Sequence, residues 1–209
     1  MTGSLIDQPE PTTYIRRISD IALDDPRYKR AGIIPMMIGP NGERHYALGL
    51  SRFSAGIFDF GSKRKPNETL IETAVREYHE ESYDIFRSGI TVESIIENNY
   101  EVIDGLVTGP AKPIESLDII IPVDVDMWEI MREFKELVDI KIANSCDDDD
   151  DDDDRGVDRI EIVRIIWLNQ HQMSKIYKSV HPIKFCNALP FHTYHRVLYP
   201  IQNWIRHCN

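Results

Sequence analysis

No window of the sequence approaches the ~18 uninterrupted apolar residues of a membrane-spanning helix, and Met1 to Glu10 has neither the basic start nor the apolar stretch of a signal peptide. A soluble protein of the cytoplasm or another intracellular compartment, not secreted and without a membrane partner, is expected. Cysteine is scarce as well. Cys146, Cys186 and Cys208 are odd in number, far apart and never in a C-x-x-C pair, which suggests neither a disulfide framework nor a structural zinc site and fits a reducing compartment. Net positive charge is also missing. The 209 residues carry 35 Asp and Glu against 24 Lys and Arg, a formal charge of -11, which excludes a broadly basic face that coats nucleic acid but not a local basic site. Eight of the acids form one run, Asp147 to Asp154, and without it 27 acids face 24 bases, a net of -3.

What is present is enough for a sizeable core: 42% of the residues are hydrophobic, and the length fits one domain with insertions. Residues 1–13, with Pro9 and Pro11, read as a flexible tail. Residues 14–209 read as a single domain with an acidic loop insertion at 144–156 and a helical C-terminal region broken by Pro182, Pro190 and Pro200. Gly32 to Ile38 and His45 to Leu50 flank an Asn41-Gly42 turn signal and predict a hairpin, with Pro35 placing the first strand at an edge or starting it late. Thr69 with Glu72 predicts a capped helix start, followed by a buried stripe of Ile71, Ala74, Val75 and Tyr78. Further strands are expected at 91–103, 117–123 and 160–167, and a helix at 127–138 with Trp128, Met131, Phe134 and Val138 on one face. This pattern describes an α/β or α+β layered domain, a mixed sheet covered by helices.

The chemistry lies at Gly61 to Asp84. At 100° per residue, Glu77, Glu80 and Glu81 fall within about 100° of each other, opposite the apolar stripe, so three carboxylates share one polar face. Like charges so placed repel and ask for a cation, and carboxylate oxygens suit Mg²⁺ or Mn²⁺ carried with phosphates. Glu68 and Arg76 lie eight apart, within reach only if the loop folds back over the helix start, where an Arg can hold a carboxylate by a bidentate pair.

This segment resembles the Nudix hydrolase box, G-x5-E-x7-R-E-U-x-E-E-x-G-U with U apolar. Glu68, Arg76, Glu77, Glu80 and Glu81 match in type and spacing, and Tyr78 takes the first U position. Ser62 replaces the first glycine, Tyr83 the second, and Asp84 the last apolar residue. A bulky residue is strained at positive φ, so the helix is expected to end differently at Tyr83, running on to Asp84. A second likeness is Glu161-Ile162-x-x-Ile165-x-Trp167, similar to a late strand common in Nudix domains.

The resemblance implies an α/β/α sandwich with a mixed sheet. It also implies hydrolysis of a diphosphate linked to another moiety, with a nucleoside diphosphate derivative as substrate. Glu77, Glu80 and Glu81, with the Ser62 carbonyl, would hold the cation, and Arg76 and Glu68 would orient that face. A nearby glutamate would serve as base, with Glu80 among the catalytic residues and Glu161 a candidate fourth carboxylate, as metal ligand or base; Glu161 is otherwise an exposed strand residue. Lys63, Arg64 and Lys65 either contact phosphates or form a solvated basic loop. Hydrolysis of the 5′ cap of RNA is one option within the family; a nucleotide-binding module without catalysis is another.

The aspartate run reads as a loop held open by self-repulsion. His192, His195 and His207 beside Cys186 and Cys208 match no zinc spacing, and Phe53, Phe58, Phe60, Trp128 and Trp167 read as core aromatics more readily than as base-stacking ones.

Overall fold

The Gly39 to Gly42 turn closes as its residues require. Gly42 takes φ 76°, which costs a glycine nothing, and the Gly39 N–H donates to the Glu43 carbonyl at 2.8 Å. The structure, a computed structural model, describes residues 15–51, 57–107, 114–144 and 160–173. The tail at 1–13, Phe53, the Asp147 to Asp154 run, the C-terminal Cys and His residues and the expected helices beyond 173 lie outside the described residues.

In chain order the elements are β1 (Ile15–Arg17), a 3-10 turn (Ile18–Asp20), β2 (Tyr28–Ile38), β3 (Arg44–Ser51), β4 (Ile57–Phe58), β5 (Phe60–Lys63), α1 (Leu70–Ser82), α2 (Val92–Asn98), β6 (Glu101–Val107), β7 (Ile114–Pro122), α3 (Met127–Asn144) and β8 (Ile162–Asn169). The strands form one sheet in the order β1-β6-β7-β2-β3-β4, with β5 also on β2 and β8 also on β3. Of the described pairs, β2 with β7 is parallel and the others are antiparallel, giving the mixed sheet of an α/β protein. None of the described helices is long and apolar enough to cross a membrane.

Period-two alternation divides the core between the two faces. Ile33, Ala47, Ile119 and Ile121 face one way and join Leu70, Ile71, Ala74 and Tyr78 of α1, Ile95 of α2, and Ile130, Phe134 and Val138 of α3. Ile34, Leu48, Ile120 and Ile166 face the other way, with Met173. Each fully buried aliphatic side chain contributes roughly 1.5–3 kcal/mol, so both faces of β2 and β7 hold the sheet together.

Three expectations are corrected. Pro35 does not place its strand at an edge: β2 is central, with β7 on one side and β5 and β3 on the other. The Met36 carbonyl accepts from Val123 N–H on the β7 side, so the Pro35 nitrogen turns to the opposite side, where β5 pairing ends at Ile33 and β3 pairing begins at Met36. Residues 91–103 are not one strand. The Thr91 side chain accepts from Ser94 N–H and starts α2, which ends at Asn99 in the left-handed conformation before β6 begins. Trp128 does not share the buried face of α3 but is 53% exposed, Ile130 being buried with Phe134 and Val138. That helix is capped by Asp126, whose side chain accepts from the N–H of Trp128 and of Glu129, and it continues past residue 138 to Asn144.

Candidate functional site

Helix α1 starts where its sequence says. The Thr69 hydroxyl accepts from Glu72 N–H and the Glu72 carboxylate from Thr69 N–H, a reciprocal cap typically stabilising by about 1 kcal/mol. The apolar stripe presses onto β2 and β5. The three glutamates do not all lie opposite it as expected: Glu80 turns outward, while Glu77 is buried and Glu81 lies on the flank of the stripe, reaching down to Gly61 of β5.

Arg76 organises the carboxylate face. Its Nε and Nη2 hold the two Glu68 oxygens at 2.8 and 3.0 Å, and its Nη1 contacts Glu77 and, at 3.3 Å, Glu80. Glu68 also accepts from Lys65 N–H and the Thr73 hydroxyl, tying the 64–68 loop back onto the helix. The Arg76 hydrogen bonds hold the Glu68 carboxyl down at about 2, although burial opposes them.

The acids on α1 then differ by depth. Glu80 is 57% exposed in its side chain. Glu77 is buried, and that burial raises its carboxyl despite Arg76. Glu81 accepts from Gly61 N–H at 2.8 Å, and burial, with Asp59, Glu77 and Glu161 as further negative neighbours and Arg30 opposing, raises it to about 9.

The other residues singled out by sequence are placed as follows. Glu161 is exposed just before β8 and within electrostatic reach of Glu81. Lys65 is close enough to Glu77 to favour its charge. Ser62 and Lys63 lie on β5 opposite Ala31 and Arg30, and Arg64 N–H donates to the Lys29 carbonyl. Among the described residues no ion pair joins Lys63 or Arg64 to these carboxylates.

The end of α1 overturns an expectation. The helix does not run on to Asp84 but stops at Ser82, and Tyr83 takes φ 52° and ψ 32° where the Nudix box has glycine. Its ring stacks on Phe134 at 5.7 Å and lies under Lys141 Nζ at 4.3 Å. Together these contacts contribute about 1–2 kcal/mol, against roughly 1–2 kcal/mol of backbone strain. Tyr83→Gly is therefore expected to relieve strain yet, by also freeing the unfolded chain, to destabilise by about 1 kcal/mol; a urea midpoint that rises instead would contradict this.

Sequence reasoning missed a buried group beneath the site: Arg30, Asp59, Ser116 and Asp118. Arg30 binds both Asp59 oxygens at 2.6 and 2.7 Å and lies 3.6 Å from Asp118. Burial, then the neighbouring Asp59, push the Asp118 carboxyl well up. The available signal was a lone acid inside each of two apolar runs, Ile57 to Phe60 and Leu117 to Ile121.

The donor set fits a hard divalent cation in type, carboxylate oxygens beside the backbone carbonyls at the end of β5. Among the described residues no three His, Cys, Asp or Glu side chains converge on a common ion position. The hydrogen bonds above give the reason: Glu77 and Glu80 turn to Arg76, and Glu81 to Gly61.

The chain is similar to an Ap4A hydrolase of C. elegans in a binary complex, at 17% identity and a TM-score of 0.43, over 72% of this chain and 86% of that one. It is also similar to the M. smegmatis Nudix hydrolase RenU, at 13% identity and a TM-score of 0.35, over 78% of this chain and 83% of that one. A Nudix hydrolase of Alicyclobacillus acidocaldarius is similar at 13% identity and a TM-score of 0.35, over 78% of this chain and 89% of that one. No family model and no curated protein matches the chain.

Proposed function

We propose that the protein is a divalent-cation-dependent hydrolase of phosphoanhydrides, of the Nudix reaction class, whose substrate is a diphosphate linked to another moiety, such as a nucleoside diphosphate derivative. The observation that carries this reading is the crowding of Glu81 by Asp59, Glu77 and Glu161 on a face already fixed by the Arg76–Glu68 pair. Concentrated, partly desolvated carboxylate charge favours a hard divalent cation that arrives with substrate phosphates.

Glu77, Glu80, Glu81 and the Ser62 carbonyl would hold that cation. When bound, Mg²⁺ or Mn²⁺ neutralises the diphosphate and acidifies the attacking water. Arg76 and Glu68 hold α1 against the loop. Glu80 or Glu161 takes the proton released as the water oxygen bonds to phosphorus and the bridging P–O bond breaks. Lys65, with Lys63 and Arg64, receives phosphate charge.

The left-handed Tyr83 keeps the conformation that a glycine would supply, so that departure from the box no longer favours a module without catalysis. The exposed Lys65, close enough to Glu77 to favour its charge, suits phosphate-bearing substrates generally, and capped RNA is the second reading. Product analysis over nucleoside diphosphate derivatives, dinucleoside polyphosphates and capped RNA, with Mg²⁺ or Mn²⁺, tests both readings. Release of the cap nucleotide at the highest rate would select RNA. Equal rates for wild type and Glu80→Gln on every substrate would sink the hydrolase.

A further inference from the structure

Beneath the carboxylate face the sheet encloses a charged group that no step above uses. Arg30 Nη1 and Nη2 bind Asp59, Nη1 also donates to Ser116 Oγ at 3.2 Å, and Ser116 Oγ donates to Asp118 Oδ1 at 3.0 Å. The sheet is cleared to admit it. Gly32 and Gly61 face each other across β2 and β5; a Cβ on Gly32 would stand 1.8 Å from Asp59 Oδ2, and one on Gly61 would stand 2.3 Å from Gly32 Cα.

A buried ion pair seldom stabilises a fold more than apolar residues of equal volume, so stability does not account for an arginine and two acids here. Connectivity does. Arg30 Nη2 also donates to the Gly61 carbonyl, while Gly61 N–H donates to Glu81 Oε2 at 2.8 Å. Gly61 is therefore held at both polar groups, by the buried arginine on one hand and by the helix carboxylate on the other.

We propose that Arg30 and Asp59 are positioning residues for the carboxylate site: through Gly61 they set the orientation of Glu81 and of the end of β5, Ser62 and Lys63, that leads into the following loop. This rests on the reading of Glu81 as a member of the reactive face. Arg30 touches neither substrate nor the reacting atoms in this scheme; its planar fork holds both Asp59 oxygens and the Gly61 carbonyl together, a geometry that lysine's compact ammonium does not reproduce.

The test uses the full chain with Arg30→Lys, the isosteric Asp59→Asn, and the milder Ser116→Ala, which removes one hydrogen bond to Arg30. Two readouts are taken: hydrogen exchange of the Gly61 amide without metal, and kcat and KM with Mn²⁺. For Arg30→Lys, faster Gly61 exchange and lower kcat are expected, each by about tenfold, the size usual for a lost orienting partner, with KM nearly unchanged. Asp59→Asn should move both the same way. Unchanged exchange, or altered exchange with unchanged kcat, overturns the proposal. If neither variant folds, Ser116→Ala decides, since a wild-type exchange rate there breaks the link from the buried group to Gly61. A wild-type chain without turnover would defeat the hydrolase reading instead. The coupling would then stand or fall on whether Arg30→Lys and Glu81→Ala loosen the Gly61 amide alike.

Discussion

Glu81→Gln is expected to abolish most hydrolysis and, in the same protein, to raise stability at neutral and alkaline pH. The amide keeps an acceptor for Gly61 N–H but removes a charge that burial and the acids Asp59, Glu77 and Glu161 oppose. A carboxyl raised from 4.5 to about 9 in the folded state leaves stability intact below 4.5 and lowers it progressively up to about 9, because only the unfolded chain ionises in that window. Allowing for solvent reaching a partly exposed side chain, the gain at pH 8 is about 2 kcal/mol, or a Tm higher by roughly 5 °C. Glutamine should flatten the decline between those pH values. Added Mn²⁺ should narrow the gap by stabilising the wild type more than the variant. The catalytic loss should reach on the order of 10²-fold or more, since several kcal/mol of transition-state stabilisation depend on the cation. Thermal melts at several pH values, with and without Mn²⁺, check the stability arm. Identical wild-type and variant melts across the range would contradict the burial argument.

Arg76→Met should act in the opposite sense on stability. Three carboxylates lose their partner at once, Glu68 and Glu77 with little solvent to replace it. A loss of about 2 kcal/mol is expected, between the values of exposed and buried pairs. Activity should fall about 10- to 100-fold through misorientation of the helix face. The sign with pH is fixed by Glu68: its lowered carboxyl contributes stability above about 4.5 that is lost as pH falls towards 2. Arg76→Met should flatten that acid limb, and Glu68→Gln should reproduce most of the effect. The double variant should then cost much less than the two single losses added, because they remove one bridge. Additive costs in urea denaturation would show that Glu68 and Arg76 act separately.

What the sequence made legible follows from range. The start of α1 is local, a Thr69–Glu72 cap and a stripe of Ile71, Ala74 and Tyr78, and the structure has it at the expected residue. The five charges in register are local too, so their shared placement on α1 and its preceding loop was readable. Depth was not. Nothing within a few residues of Glu81 announces that Asp59 and Arg30 lie beneath it, because those partners arrive through the pairing of β2 with β5. Tyr83 shows the same limit: local strain argued for a longer helix, and a ring on α3, Phe134, decided otherwise. Pro35 was misplaced because its strand changes partner beside the proline, a feature only sheet order reveals.

The most direct test of the carboxylate face is Mn²⁺ titration of the metal-free protein by calorimetry, comparing wild type with Glu77→Gln and Glu81→Gln. Saturable binding in the wild type that weakens by at least about tenfold in either variant is the predicted result, as expected when a ligating carboxylate is lost. Equal isotherms for all three folded proteins would contradict the account, whatever substrate the chain is later found to bind.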